Sequence, residues 1–353
     1  MSGGKSAQAR AKAPVVEELA LKVMAGDRRA LGRAITLVES TRPDDRAAAQ
    51  ALIERLLPAT GRSIRIGLSG PPGVGKSTLT ERLGLHVVAA GHRLAVLAVD
   101  PSSKLGGGSI LGDKTRMPEL SRDPRAFIRP SPAGTSAGGV ARRTREALLL
   151  VEAAGFDVVI VETVGVGQSE TAVADMTDLF VLLAQPGAGD ELQGIKRGIV
   201  ELADLVLVTK ADGELAPAAM RTAAELAQAL RYLRPPTPGF EPRVLRCSGL
   251  TGLGVAEAWA AMAEFGAHQR ARGGLARRRA EQAKAWLGRE LSDGLLERLK
   301  DLPDAVRRLR RAEALVATGA LNPPAAARRL IEGLLGAKSG AKRGPKPKPV
   351  RRS

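Results

Sequence analysis

Cysteine, histidine and aromatic residues are scarce in this sequence, and each shortage excludes a class of protein. With Cys247 as the one cysteine in 353 residues, no disulfide can form within the chain. Three histidines beside that cysteine are too few for a Cys/His metal cage. Because aromatic residues make up only 2% of the chain, its core must consist of Leu, Val, Ile and Ala. The expected compartment is the cytoplasm, where a chain needs no disulfides.

Long hydrophobic runs are missing too. No stretch reaches the roughly 18 apolar residues of a membrane-spanning helix, so no membrane contact is expected. The N-terminal residues lack the apolar segment of a secretory signal. At 353 residues and 44% hydrophobic content, the chain is long enough for one large core domain with helical additions.

The net charge of +17 suggests nucleic-acid binding, but much of it lies toward the chain ends. Residues 338–353 carry seven Lys or Arg and no acid, with Pro and Gly throughout. Residues 1–13 and 337–353 are therefore predicted to be disordered basic tails. No aromatic side chains interleave with the C-terminal charges to stack on bases. We interpret that tail as solvated, with an acidic partner surface as the alternative, and expect no nucleic-acid partner.

Hydrophobic patterning divides the remainder into three parts. Residues 14–60 have the spacing of amphipathic helices and predict an N-terminal helical segment, which packs on the core domain or presents a partner face. Residues 61–254 alternate strand-like and helical runs. Residues 255–336 are helical again and must bury an apolar face, either on their own domain or on a second subunit, and pairing with a second subunit is favoured.

Continuous apolar runs predict six strands, at residues 63–68, 93–99, 156–161, 179–184, 205–209 and 244–247. Strands of this kind, separated by helices, are typical of an α/β protein with a mostly parallel sheet flanked by helices. Ligands bind such sheets at the carboxyl ends of the strands. Polar residues or glycine follow every predicted strand, so each strand end is a candidate part of the site.

The stretch after the first strand matches G-x-x-x-x-G-K-[ST] between a strand and a helix, which predicts a phosphate-binding loop of a P-loop NTPase. Glycines allow the loop N–H groups to converge on an anion at a helix N-terminus. The lysine would meet the β- and γ-phosphates, and the following serine hydroxyl would ligate Mg²⁺. The predicted nucleotide-binding residues here are Gly70, Pro71, Pro72, Gly73, Val74, Gly75, Lys76, Ser77 and Thr78.

Acids follow two further strands. Asp100 can face Mg²⁺ or its water shell. Asp113 and Arg116 lie in a glycine-rich loop, and this loop is either a nucleotide-dependent switch or an ordinary surface loop. Glu162 occupies the place where P-loop proteins carry a Mg²⁺-binding acid, and contact with the metal through water is favoured over direct ligation. Gly165 occupies the place of the glycine whose N–H senses the γ-phosphate.

A fourth strand end carries Asp190 and Lys196 among glycines. This segment is either a second mobile loop that changes its ion pairs with nucleotide state, or a helix start capped by Asp190.

The segment Thr209-Lys210-Ala211-Asp212 predicts the base. A carboxylate at Asp212 can accept hydrogen bonds from N1–H and the exocyclic amine of guanine, a donor pair that adenine does not present, so the ligand should be GTP or GDP. The Lys210 stem would lie against the base. Cys247, Ser248 and Gly249 could place a backbone N–H on the guanine O6.

Together, GPPGVGKST, VDPSS, GGGSILGDKTRM, GGVARRTRE, ETVGVGQSE, PGAGDELQGIKRGI and TKADG resemble the MeaB/ArgK family, GTPases of the SIMIBI class associated with methylmalonyl-CoA mutase. The likeness covers roughly residues 15–335. It implies a chaperone that couples GTP hydrolysis to cofactor loading and protection of an adenosylcobalamin-dependent acyl-CoA mutase. It also implies a homodimer formed through the C-terminal helices.

The resemblance also assigns roles. Asp100 and Asp113 match the family's Mg²⁺ and hydrolysis acids, and Glu162 matches its third acid, so the residues expected to act in hydrolysis are Lys76, Asp113 and Glu162. The expected metal ligands are Ser77, Asp100, Asp113 and Glu162. Residues matching partner-responsive switch positions are Arg116, Asp190 and Lys196.

One departure is Thr209, which stands where many GTPases have Asn and is expected to lose a tethering amide. Two alternative functions stay open. A nickel-insertion GTPase would need Cys/His ligands that this chain lacks, and a nucleic-acid or ribosome-associated GTPase would use the basic tail.

Overall fold

The computed structural model describes residues 3–99, 117–130, 137–163, 169–187 and 197–336. By internal contacts the chain forms two compact units, Met1–Arg279 and Ala280–Ser353. The predicted C-terminal tail, residues 337–353, lies outside the described residues.

A seven-stranded sheet forms the centre of the first unit, with every described neighbouring pair parallel and the strand order β3-β2-β4-β1-β5-β6-β7. This confirms the predicted fold class. The strands are β1 (Ile64–Ser69), β2 (Leu94–Val99), β3 (Ala126–Arg129), β4 (Val158–Thr163), β5 (Leu179–Ala184), β6 (Leu205–Val208) and β7 (Arg243–Arg246).

β3 is the strand that the sequence analysis missed. It has four residues that alternate between buried and half-buried, as an edge strand does. Its apolar run is too short to predict a strand by itself. By contrast, every residue of β2, β4 and β5 is buried, which explains why continuous Val and Leu runs identified them.

The described helices are α1 (Gly3–Met24), α2 (Arg28–Glu39), α3 (Pro43–Leu56), α4 (Lys76–Ala89), α5 (Ala137–Ala153), α6 (Ser169–Ala174), α7 (Arg197–Val200), α8 (Ala216–Leu230), α9 (Val255–Ala271), α10 (Gly274–Lys300), α11 (Pro303–Ala317) and α12 (Pro323–Gly336). α1 begins at Gly3 and so includes most of the stretch, residues 1–13, for which the composition predicts a disordered basic N-terminus. Ala, Gln, Lys and Arg dominate that stretch, and all four have high helix propensity.

The N-terminal helices pack onto one face of the sheet. Buried side chains of α1, α2 and α3, such as Val23, Ile35 and Leu52, join one hydrophobic cluster with α5 and with Val159 and Val161 of β4. The first turn of α2 is capped by its preceding aspartate. Packing on the core domain, one of the two predicted roles of this segment, is therefore observed.

The opposite face is covered by α4 and α9. Leu79 and Leu83 of α4 and Met262 and Phe265 of α9 pack on β1 and β5, and Trp259 lies in the same cluster. Although the hydrophobic pattern predicts a helical extension beginning at residue 255, α9 belongs to the unit that contains the sheet. Its buried apolar face explains the difference.

Two consecutive arginines at the start of α10 bind the amino ends of the strands. Arg279 forms a two-point ion pair with Asp178, which precedes β5, with N–O distances of 2.8 and 2.6 Å, and it also donates to the Ser63 carbonyl at 2.7 Å. Arg278 lies 3.7 Å from the carboxylate of Asp204, which precedes β6. Burial opposes the charge of Arg279, but Asp178 outweighs it and raises the pKa of the guanidinium. These ion pairs therefore attach the start of α10 to the amino ends of the strands, which lie opposite the predicted site at the carboxyl ends.

The second unit contains the rest of α10 with α11 and α12. Ala305 and Ala326 are buried within it, and Arg308 donates to the Gly333 carbonyl at 3.3 Å. Large apolar side chains of this unit are exposed, namely Leu287, Leu291, Leu295, Leu296, Leu302, Leu309, Leu315 and Ile331. Across the described part of the chain, no helix combines the length and apolar character needed to cross a bilayer.

Candidate nucleotide site

The phosphate loop joins the end of β1 to the start of α4, as the sequence predicts. Gly73 and Gly75 have φ angles of 76° and 91°, in the region that favours glycine, and Gly75 directly precedes α4. Gly70 meets a different requirement, because a Cβ there would lie 2.7 Å from the Leu183 carbonyl oxygen. The loop is thus built for close backbone approach, with the α4 N-terminus at its end.

Lys76 lies inside this loop. Its Nζ donates to the carbonyls of Gly70 at 2.6 Å and Pro71 at 3.0 Å, and the residue is buried. Burial lowers the pKa of Lys76, and the carboxylates of Glu162 and Glu170 oppose that shift. An anion entering the loop would relieve the cost of burying this cation, which favours phosphate binding here.

Glu162, at the end of β4, faces the first turn of α4. The Ser77 hydroxyl donates to its Oε1 at 3.1 Å, and the Thr80 hydroxyl donates to its Oε2 at 2.8 Å. Glu162 is 3% exposed, so its charge is held away from bulk water. Glu162 and Ser77 lie in this site as the sequence predicts. Thr80 was not predicted, and its one signal in the sequence is a hydroxyl four residues after Lys76, on the same face of the helix.

The oxygen ligands gathered here suit Mg²⁺. Among the described residues, no three His, Cys, Asp or Glu side chains are arranged to hold a metal. Ser77 and Glu162 instead provide one hydroxyl and one carboxylate next to the phosphate loop. Magnesium is commonly bound by one or two protein oxygens together with phosphates and water, so this donor set fits it.

The predicted base-recognition residues follow β6 and β7, which are neighbours in the sheet. The Ala211 N–H donates to the Cys247 carbonyl at 3.1 Å, so the two loops are joined. Of the non-glycine residues that the structure describes, Lys210 alone has a positive φ, +53°. Such strain clusters at functional sites. Lys210 is exposed and Asp212 is half-buried, so both are accessible to a ligand.

The loop at residues 248–250 lies directly on α4. A Cβ at Gly249 would lie 2.8 Å from the Leu79 nitrogen, so glycine is required for this approach. Arg82 of α4 donates to the carbonyls of Gly249 at 3.3 Å and Leu250 at 2.9 Å. Arg82 was not predicted from the sequence, because only the folded chain brings it to residues more than 160 positions away.

Several predicted residues cannot be placed. Asp100, Asp113, Arg116, Gly165, Asp190 and Lys196 lie outside the described residues, and their roles stay predictions. Glu170 was not predicted, yet it is buried near enough to Lys76 to act on its charge. The described part of the site therefore consists of the phosphate loop, Glu162 and the two loops after β6 and β7.

Residues 31–304 match the family model described as Methylmalonyl Co-A mutase-associated GTPase MeaB. The chain belongs to the MeaB family. A putative GTPase of Caulobacter vibrioides is 54% identical to this MeaB-family chain over 316 residues, covering 90% of the chain and 97% of that protein. The Methylmalonic aciduria type A homolog, mitochondrial, of Mus musculus is 48% identical over 327 residues, covering 90% and 79% respectively.

A solved structure agrees with this assignment. The crystal structure of a LAO/AO transport system kinase superposes with a TM-score of 0.74 at 37% identity, covering 92% of this MeaB-family chain and 98% of the other. The predicted family resemblance is thereby confirmed. The chain is a P-loop GTPase that binds guanine nucleotide.

Proposed function

We propose that the chain is a GTP-hydrolysing chaperone that assists cofactor loading and protection of an adenosylcobalamin-dependent acyl-CoA mutase. The observation that carries the partner class is the family description, Methylmalonyl Co-A mutase-associated GTPase, over residues 31–304. The name of the mouse relative, a methylmalonic aciduria type A homolog, supports the same class.

In the proposed site, the phosphate loop and Lys76 hold the triphosphate, while Ser77 ligates Mg²⁺ and Glu162 stands behind it as an acid that reaches the metal indirectly. When bound, Mg²⁺ neutralises charge that develops on the phosphate oxygens. Asp212 accepts from the N–H groups of guanine, and the loop of Cys247, Ser248 and Gly249 faces O6. Asp100 and Asp113 are the proposed further acids, with Arg116, Gly165, Asp190 and Lys196 as residues that respond to nucleotide or partner.

Hydrolysis by the isolated chain is expected to be slow. Intrinsic GTPase rates run at about 10⁻⁴ to 10⁻² per second, and an arginine finger raises the rate. The sequence offers no evident finger. If the bound nucleotide changes the affinity for the mutase, the mutase must change the affinity for that nucleotide by the same factor, because coupling between two binding events is reciprocal. The mutase is also proposed to change the hydrolysis rate, which is a separate effect measured on its own.

A homodimer is also part of the proposal. The second unit exposes eight large apolar side chains, seven along α10, α11 and α12 and one, Leu302, between α10 and α11, and a folded protein rarely leaves so many to water. A second copy of the same unit would cover them.

The test uses purified methylmalonyl-CoA mutase and measures both complex formation and the GTP hydrolysis rate. We expect a complex whose stability differs between GDP and a non-hydrolysable GTP analogue, and a changed rate when mutase is added. The Lys76→Ala variant controls for contaminating GTPases, and an acyl-CoA enzyme without cobalamin controls for nonspecific association. Absence of a complex in every nucleotide state would refute the mutase assignment.

The nucleic-acid alternative has its own test. Deleting residues 338–353 removes seven basic residues, and we expect GTP turnover and mutase binding to persist. RNA binding that falls steeply with salt and disappears on this deletion would favour the alternative.

A further inference from the structure

Thr80 connects the phosphate-binding helix to the end of a neighbouring strand. Its Oγ1 lies 2.8 Å from Glu162 Oε2 and 2.9 Å from the Lys76 carbonyl oxygen. Thr80 is fully buried and Glu162 is 3% exposed, so water does not compete freely for these contacts. A hydroxyl has one proton to donate, and a carboxylate is the stronger acceptor of the two.

The contact with Glu162 distinguishes Thr80 from an ordinary helical threonine. Threonine hydroxyls inside helices often bond to the carbonyl four residues earlier, and the 2.9 Å distance to the Lys76 carbonyl oxygen allows this arrangement. Such a contact alone would be a purely local feature. The second contact spans 82 positions in the chain and reaches a carboxylate that the Ser77 hydroxyl also contacts, at 3.1 Å.

We propose that Thr80 is a positioning residue for the metal site. By holding Oε2 of Glu162, it directs Oε1 toward Ser77, so that Glu162 acts on Mg²⁺ through Ser77. A serine hydroxyl can coordinate the metal through its lone pairs while it donates its proton to a carboxylate. That donation makes the oxygen a better ligand, as partners behind metal ligands generally do. The inference rests on the proposed function of Ser77 as a Mg²⁺ ligand.

The test is an equilibrium titration of Mg²⁺ against binding of a fluorescent, non-hydrolysable GTP analogue. Removing a partner behind a metal ligand typically costs 10- to 100-fold in metal affinity. Thr80 stands one step further from the metal than such a partner, so we expect Thr80→Val to raise the half-saturating Mg²⁺ concentration by about tenfold, the low end of that range. Thr80→Ser keeps the hydroxyl and should stay close to the wild-type value. In the absence of Mg²⁺, all three proteins should bind the analogue equally, which also reports that the variants are folded.

A double-substitution cycle tests whether Thr80 acts through Glu162. In a Glu162→Gln background, Thr80→Val should add little to the change in Mg²⁺ dependence, because the charged group that it positions is gone. Full additivity of the two substitutions would overturn the inference, as would a Mg²⁺ dependence unchanged in Thr80→Val.

Failure of the proposed function would look different. If the wild-type protein bound the analogue without any dependence on Mg²⁺, the assignment of Ser77 as a metal ligand would fall, and the role of Thr80 with it. If the wild-type protein depended on Mg²⁺ and the Thr80→Val variant showed the same dependence, the assignment of Ser77 would stand and only the inference about Thr80 would be lost. A loss of analogue affinity without Mg²⁺ in both Thr80 variants would indicate a merely structural role and overturn it as well.

Discussion

The Thr209 hydroxyl donates a hydrogen bond of 2.7 Å to the Val74 carbonyl, which ties the segment preceding Asp212 to the phosphate loop. Threonine at this position lacks the tethering amide of asparagine, as expected from the sequence, and its hydroxyl supplies a tether of a different kind. The side chain is 2% exposed, so the bond is made away from water.

We expect Thr209→Val to weaken GTP binding and lower stability by about 1 to 3 kcal/mol, the usual cost of a buried polar group left without its partner. Thr209→Ser, which retains the hydroxyl, is the matched control. Calorimetric titration with GTP and denaturant unfolding measure the two effects. Equal affinity and stability in the valine variant would contradict the tether.

Asp212→Asn is expected to change the base preference. Xanthine carries a carbonyl at the position of the guanine amine, and an asparagine amide can donate to it. Discrimination built on such paired groups is on the order of 10⁴-fold. The variant should therefore lose affinity for GTP and gain affinity for xanthosine triphosphate. Competition binding with both nucleotides measures this.

Glu214→Gln serves as the control for the base preference, because Glu214 is an exposed acid two residues further along. It should leave the preference for GTP intact. An Asp212→Asn protein that also kept its full preference for GTP would show that Asp212 does not contact the base.

Arg279→Met should destabilise the first unit strongly. The substitution leaves Asp178, which is fully buried, without its two-point ion pair. Breaking a buried pair by removing one partner typically costs about 3 to 5 kcal/mol. Denaturant unfolding measures the loss.

Arg277→Met is the matched control for Arg279, since Arg277 is exposed and lies only two residues earlier on the same helix. It should change the free energy of unfolding little. If the double variant Arg279→Met with Asp178→Asn were no more stable than Arg279→Met alone, the unpaired carboxylate would not be the cause of the loss.

Cys247 should be inert in the native protein. Burial raises the pKa of its thiol to about 12, so at pH 8 roughly one molecule in 10⁴ carries the reactive thiolate. Alkylation by iodoacetamide, followed by mass spectrometry, should be slow until denaturant is added. Bound GTP should slow it further, because ligand binding suppresses local opening. Rapid labelling of the native chain would show that the loop after β7 is open.

The sheet and the phosphate loop could be predicted because their signals are local. β2, β4 and β5 are buried along their whole length and therefore appear in the sequence as unbroken apolar runs. The loop at residues 70–77 has a fixed spacing set by backbone geometry. Neither feature needs knowledge of a distant contact.

Residues that act through distant contacts escaped prediction. Thr80, Arg82 and the hydroxyl bond of Thr209 all gain their roles from partners on other elements, and their own neighbours in the sequence give no sign of those partners. β3 was missed for a related reason, since four residues at a sheet edge are defined as a strand by pairing with β2.

The contact of Gly249 with the backbone of Leu79 gives the nucleotide site a fixed span. The loop that would meet the base rests on the same helix whose first turn would meet the phosphates, and Arg82 holds it there. Helix α4 therefore fixes the distance between the loop that would bind the base and the loop that would bind the phosphates. A guanine nucleotide analogue with a longer or shorter connection between base and phosphates would lose its contacts at one of these two loops.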